Sequence, residues 1–275
     1  MRTLAFIAAL LLAFGAAAQP KYEPQVGQAG KDVIWVPTPD EVVDRMLTMA
    51  QTGPNDIHFD LGAGDGKIAI AAAKKFGARA TGIEYNPDMA KHANANAQAA
   101  GVAGVGPGKA LIRQGDIFAT DFSSATVITL YLLPALNMKL RPTILQMRPG
   151  TRVVSHSFTM EDWEPDEVSS MDGRRAYFWV VPANVMGAWQ LEAGSQRSEL
   201  SIDQTFQKIG GSVKLGTTTL GGLREARLSG ANIAFAYVDA AGVRRDFTGR
   251  VSGGRMEGSF KDEKGGEGRW SAAKK

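Results

Sequence analysis

The stretch HFDLGAGDGKIAIAAAKK, residues 58–75, constrains the fold of this 275-residue chain more than any other. An apolar run ends in Asp60, glycines alternate at Gly62, Gly64 and Gly66, and small apolar residues at helical spacing follow. Glycine at the end of a strand lets the backbone turn sharply into a helix and lets a ligand approach the amides. The pattern predicts a strand at 56–61 and a helix at 67–76. The loop lacks the G-x-G-x-x-G spacing of pyrophosphate-binding turns and the Gly-Lys-Ser/Thr of a P-loop. Asp60 before the glycines and Asp65 among them would repel a pyrophosphate and suit a ligand with a cationic head.

The alternation continues on both sides. Thr38-Pro39 and the acids Asp40 and Glu41 mark the start of a helix at 40–49, because carboxylates complement the positive end of the helix dipole. Strands at 80–84, 110–114, 126–132 and 152–157 alternate with helices at 87–100 and 135–147. A hairpin turning at Asp172-Gly173 returns as a strand at 177–181. This order implies an α/β unit with a mostly parallel sheet, helices on both faces and one antiparallel strand added last. Acids recur at strand ends. Glu84 ends the second strand, where a carboxylate can accept both hydrogen bonds of a ribose diol. Gly115-Asp116-Ile117 follows the third, and a carboxylate beside an apolar residue suits an adenine. Tyr131 follows the fourth, where a substrate-facing group belongs in an open α/β sheet.

Beyond Asn184 no helical period remains. Short runs alternate apolar with polar, separated at Gly210-Gly211, Gly221-Gly222, Ser229-Gly230, Ala241-Gly242, Gly253-Gly254 and Gly265-Gly266. They predict a small all-β meander closed into a barrel or sandwich.

Composition narrows the chemistry. There is no cysteine, so disulfides, thiolate nucleophiles and Cys-ligated zinc are excluded. His58, His92 and His156 lie far apart in sequence, a poor start for a metal site. The net charge of +3 is too small and dispersed for a nucleic-acid footprint.

With these residues in place, the chain resembles the class I S-adenosylmethionine-dependent methyltransferases over about residues 33–182. Its DLGAGDG is the most specific element. It is similar in particular to the bacterial and mitochondrial protein-lysine branch that acts on the ATP synthase c-subunit or the adenine nucleotide translocase. The stretches VPTP, DLGAGDGKI, GIEYNP, TLYLLPALNMKLRP and GTRVVSHSF carry that similarity. The resemblance implies a Rossmann-like fold and S-adenosyl-L-methionine as cofactor. Asp60, Gly62 and Gly64 would line its methionine end, with Asp65 and Gly66 completing the loop. Glu84 would hold the ribose, Asp116 and Ile117 the adenine, and Thr38 would face the carboxylate region. Ala63 and Lys67 stand where many relatives have Ser and Arg. Tyr131 is the candidate catalytic residue, able to orient an acceptor amine.

Blander readings exist for several of these residues. Asp116 and Thr38 could be caps, Tyr131 could be core, and His156 reads as structural. Trp35, Phe158 and Trp163 read as packing.

The N-terminus has Arg2, an apolar run from Leu4 to Phe14 and the pair Ala16-x-Ala18, the pattern of a cleaved export signal. The expected organisation is a signal peptide at 1–18, a tether at 19–32, the methyltransferase domain at 33–183 and the β domain at 186–275. The mature chain would then be exported, or anchored if the signal is not cleaved, with no transmembrane span. The expected acceptor is a protein lysine or a small molecule and not nucleic acid. An inactive, exported binding protein on the same fold is the competing reading.

Overall fold

The computed structural model describes residues 22–275, so the export-signal expectation for 1–18 and the first part of the tether lie outside the described residues. The first unit holds helices α1 (Asp40–Met49), α2 (Lys67–Phe76), α3 (Pro87–Ala99) and α4 (Pro134–Leu145). Its strands are β1 (Ile57–Leu61), β2 (Arg79–Glu84), β3 (Ala110–Gln114), β4 (Val127–Leu130), β5 (Arg152–His156), β6 (Glu167–Met171) and β7 (Arg174–Val180). They form one seven-stranded sheet in the order β3-β2-β1-β4-β5-β7-β6. The pairings among β3, β2, β1, β4 and β5 are parallel.

The terminal hairpin adds two strands to the sheet rather than the one expected. β7 pairs antiparallel with β5, and β6 pairs antiparallel with β7 as the sheet edge. The fourth strand is shorter than its apolar run suggested. Tyr131 and the leucines after it leave the sheet, because Pro134 begins α4 at its first position.

The central strands are apolar because helices cover both faces. Buried Val42, Val43, Met46 and Leu47 of α1 and Ile68, Ala69, Ala72 and Ala73 of α2 pack on one face. Phe59, Leu61, Ile128, Leu130, Leu140 and Ile144 fill the other. The strand order reverses between β1 and β4, each the start of the chain's departure to a different side. Their carboxyl ends are therefore the place where an open α/β sheet leaves a crevice.

The second unit is a nine-stranded antiparallel sheet. Its strands are β8 (Gly187–Ala193), β9 (Gln196–Thr205), β10 (Lys208–Leu215), β11 (Thr218–Gly222), β12 (Arg224–Ser229), β13 (Asn232–Val238), β14 (Arg244–Ser252), β15 (Arg255–Asp262) and β16 (Glu267–Lys274). The order β11-β10-β9-β8-β16-β15-β14-β13-β12 curls into a nearly closed barrel. At the seam the Leu223 amide donates to the Gly211 carbonyl at 2.9 Å. Stacked rings fill the interior: Phe235 on Phe247 at 4.9 Å and Tyr237 on Phe247 at 5.3 Å, with Trp270 edge-on to both phenylalanines.

Gly210-Gly211 is not a turn. It lies inside β10, where a side chain at Gly211 would fall 1.9 Å from the Ser201 carbonyl oxygen of the neighbouring strand. The glycine is there for close strand approach, and the chain reverses instead at Phe206-Gln207 and at Gly216.

Candidate functional site

The crevice at the carboxyl ends of β1, β2, β3 and β4 is a cavity of about 290 Å³. Nine of the ten residues singled out in the sequence line it: Thr38, Asp60, Gly62, Gly64, Asp65, Glu84, Asp116, Ile117 and Tyr131. Gly66 does not. It caps α2 with φ 81°, and a side chain there would press on Ala93 and Ile112, so this glycine packs the loop against α3 and β3.

Asp60 is buried on β1, directly across from Thr129 of β4 in the parallel register. That register explains its main partner: the Thr129 hydroxyl donates to Asp60 Oδ1 at 2.7 Å. The same hydroxyl lies 2.9 Å from Nε2 of buried His58. When Asp60 is ionised it takes the hydroxyl proton, and His58 then donates from Nε2, leaving its Nδ1 unprotonated and, among the described residues, without a partner. Burial drives His58 down to about 3, so it is neutral. Burial drives Asp60 up to about 7, and the nearby charges of Asp65 and Glu84 push the same way, against the Thr129 hydrogen bond. A buried carboxylate at the floor of a cleft lacks a cation, and a cationic ligand would supply it.

Glu84 organises the loop. Its Oε2 accepts from the Gly64 amide and its Oε1 from the Asn86 amide, both at 2.9 Å. Burial raises its pKa while these amides lower it. Gly64 has φ 53°, and a side chain there would sit 2.6 Å from the Trp35 indole nitrogen. Both features demand glycine. Asp65 Oδ1 accepts the Lys67 amide at 3.2 Å, standing in for the side chain that the glycine cap of α2 lacks.

Asp116 both caps a turn and lines the cleft. Its Oδ1 caps a turn through the Phe118 amide at 2.9 Å, and its Oδ2 faces the cleft. There it pairs with Lys31 at 2.6 Å, which holds the Asp116 carboxyl below its usual range. Thr38 does not cap α1; the cap position is Pro39. The buried Thr38 hydroxyl lies 3.2 Å from Nδ1 of His156 instead.

On the β4–β5 side the lining is aromatic. The Tyr131 ring lies 4.0 Å from that of His156 and 6.2 Å from the parallel ring of Phe158. His156 is buried at the end of β5 with an unpartnered Nε2, and desolvation lowers its pKa to about 4. Trp35 and Phe158, read from sequence as packing, line the cleft, whereas Trp163 is core.

Part of the expected tether belongs here too. Residues 27–35 close a hairpin, with amide–carbonyl bonds from Gly27 to Trp35 and from Trp35 to Gln28. Gln28 through Asp32 form one wall of the cleft. The sequence signal for this strap is faint: two glycines, Gly27 at φ 87° and Gly30 at the tight approach to Val33. Among the described residues no group of acids and histidines is arranged to hold a metal ion.

This geometry agrees with likeness to known proteins. The family described as the ANTKMT methyltransferase domain matches residues 60–167. The protein-lysine N-methyltransferase of Saccharolobus islandicus is 44% identical over 155 residues, which are 54% of this chain and 94% of that protein. The human lysine N-methyltransferase of the ATP synthase c-subunit is 28% identical over 136 residues, 49% of this chain and 56% of that protein. The chain thus spans little more than half of that human relative. A crystal structure described as an RNA methyltransferase from Salinibacter ruber, in complex with S-adenosyl-L-homocysteine, is 50% identical with a TM-score of 0.52. It covers 55% of this chain and 96% of that one.

Proposed function

The chain belongs to the S-adenosylmethionine-dependent methyltransferase family that includes the Saccharolobus islandicus enzyme, and we propose that it transfers a methyl group to the amine of a protein lysine. The observation that carries the cofactor assignment is the convergence of Asp60, Glu84 and Asp116 on one cleft with a glycine cradle. Asp60 answers a cationic head. Glu84 keeps a free lone pair on each oxygen after accepting its two amides, enough for a ribose diol. Asp116 would accept from an amino group, and Ile117 and Met89, which line the same cleft, would offer apolar surface to a flat ring.

When bound, S-adenosylmethionine supplies a methyl group already activated on a sulfonium. The protein's task is then to hold the acceptor in line and to keep its nitrogen unprotonated. A lysine amine has an ordinary pKa of about 10.4. The rings of Tyr131 and Phe158, backed by neutral His156, give an apolar approach that disfavours the ammonium. The Tyr131 hydroxyl is the group we assign to orient the amine.

The Salinibacter ruber protein, described as acting on RNA, raises a second acceptor class. Ile34, Val36 and Leu133 line the cleft and are exposed, and Lys31 is committed to Asp116. An apolar mouth favours a protein segment, because nucleic acid calls for a dense cationic face. We further propose that residues 1–18 direct export. No helix among the described residues is long and apolar enough to cross a membrane.

Incubation with tritiated cofactor and a cell lysate tests the acceptor. Label recovered as methyl-lysine after protein hydrolysis is expected. Label confined to a ribonuclease-sensitive or a small-molecule fraction would contradict the lysine assignment.

A further inference from the structure

Part of the acceptor wall of the cleft belongs to a loop, residues 157–166, that joins β5 to β6. Phe158 is the part of it that reaches the cleft. The loop holds Ser157 at φ 64° and Glu161 at φ 54°, left-handed conformations that residues with side chains keep only where their surroundings fix them. The first unit grips it from α4. Buried Asn137 donates to the carbonyls of Thr159 at 3.1 Å and Phe158 at 3.4 Å. Arg141 donates to the Met160 carbonyl at 2.9 Å and pairs with Asp162.

A second grip comes from the barrel. The turn between β9 and β10 reaches the far end of the same loop. Gln207 Oε1 accepts the Trp163 indole N–H at 3.0 Å. Its amide nitrogen donates to the Glu164 carbonyl at 2.7 Å and to the Asp166 carboxylate at 3.2 Å. Lys208 pairs with the Glu164 carboxylate at 2.7 Å. Phe206, at φ 54°, stacks on buried Trp163 at 6.0 Å, and the Arg141 guanidinium lies over the Phe206 ring at 5.3 Å. One turn therefore touches the loop and also the helix residue that grips it.

The barrel also meets the first unit elsewhere: Gly230 abuts Gly150, and the Gly230 carbonyl accepts the amide of Ala183, in the segment that connects the two units, at 2.8 Å. The Gln204 side chain adds bonds to the Ala183 carbonyl and the Val185 amide. The turn spends its hydrogen bonds on the loop that carries Phe158.

We propose that the β9–β10 turn, through Gln207 and Phe206, is a positioning device for the acceptor. By fixing the 157–166 loop it sets where Phe158 stands and so where the acceptor amine lies relative to the methyl donor. This role rests on the methyl-transfer reading. It gives the barrel a part in the reaction without contact with either substrate.

The test compares the full wild-type chain with Gln207→Ala and with a control at the remote barrel seam, Glu225→Ala. Three quantities are read: S-adenosylmethionine affinity by calorimetry, amide exchange across 157–166, and initial rates of tritium transfer to lysate protein. In Q207A, cofactor affinity and cofactor KM should stay within about twofold. Exchange in the loop should quicken at least about tenfold while the central strands are unchanged, and kcat/KM for the protein acceptor should fall at least about tenfold. E225A should change none of these.

Faster loop exchange with unaltered acceptor kinetics would overturn the proposal, leaving the turn as interdomain adhesive. Unaltered exchange would overturn it as well. A wild-type chain that neither binds cofactor nor labels protein would remove the reaction itself. That result is distinct from an active wild type beside an equally active Q207A.

Discussion

The two sheets bury different things. Among the described residues, the buried polar or charged side chains are Thr38, Thr52, His58, Asp60, Thr129, Asn137, Thr151, Ser155, His156 and Ser198, and only Ser198 belongs to the barrel. The barrel is filled with stacked Phe235, Tyr237, Phe247 and Trp270. Burying rings stabilises a fold, whereas burying an unpaired carboxyl or imidazole costs stability unless a partner answers it. In the first unit the buried carboxyl and imidazoles are Asp60, His58 and His156, on β1 and at the end of β5. Asp60, at the floor of the crevice, marks where a ligand is expected.

The contrast can be attacked most forcefully in the barrel. Phe247→Ala should cost about 3–5 kcal/mol of stability, as removal of a buried ring does. Denaturant unfolding measures it. If the barrel serves structure and positioning, cofactor affinity in the surviving folded protein should remain within about twofold.

Gly64→Val makes the opposite trade. The left-handed φ and the nearby Trp35 forbid the side chain without displacing the loop. Cofactor affinity should fall more than about a hundredfold by calorimetry, with β-barrel near-UV signals retained.

Asp60→Asn probes the electrostatic half of the contrast. In the free protein the Asp60 carboxyl titrates near 7, raised by burial, and a cationic ligand favours its ionised form. Below that pH the carboxyl must first lose a proton, so wild-type affinity should rise with pH from about 5.5 to 7.5, approaching tenfold per unit on the acid side. D60N should bind weakly with no such slope. A wild-type titration flat over this range would contradict the assignment.

Lys31→Ala should have the smallest effect. The pair with Asp116 is solvent-accessible, and such pairs contribute little. Freeing Asp116 should change cofactor affinity by no more than about threefold, with faster cofactor dissociation as the strap loosens.

Much of the α/β unit was legible because its signals are local. The strand–glycine–helix run fixed the crossover, and acids at strand ends became neighbours once the sheet was parallel. The features missed are those made by distant pieces of chain. His58 and Thr129 meet only through the β1–β4 register. Lys31 reaches Asp116 because a segment rich in polar residues folds back as a hairpin. Trp35 and Phe158 have the composition of core residues, and only the topology turns them toward the cleft. Gly210-Gly211 carries the composition of a turn, but its glycines serve a strand approach. The grip of Gln207 on the 157–166 loop joins two units whose sequences share no pattern.

Everything proposed for this chain depends on the strand-end carboxylates forming an S-adenosylmethionine site. Calorimetric titration of the full chain with S-adenosylmethionine, beside Asp60→Ala and Glu84→Ala, decides that point. One site per chain is expected, weakened more than about tenfold by each substitution. Absence of binding by the wild-type chain at millimolar cofactor, or affinity indifferent to both substitutions, would contradict it.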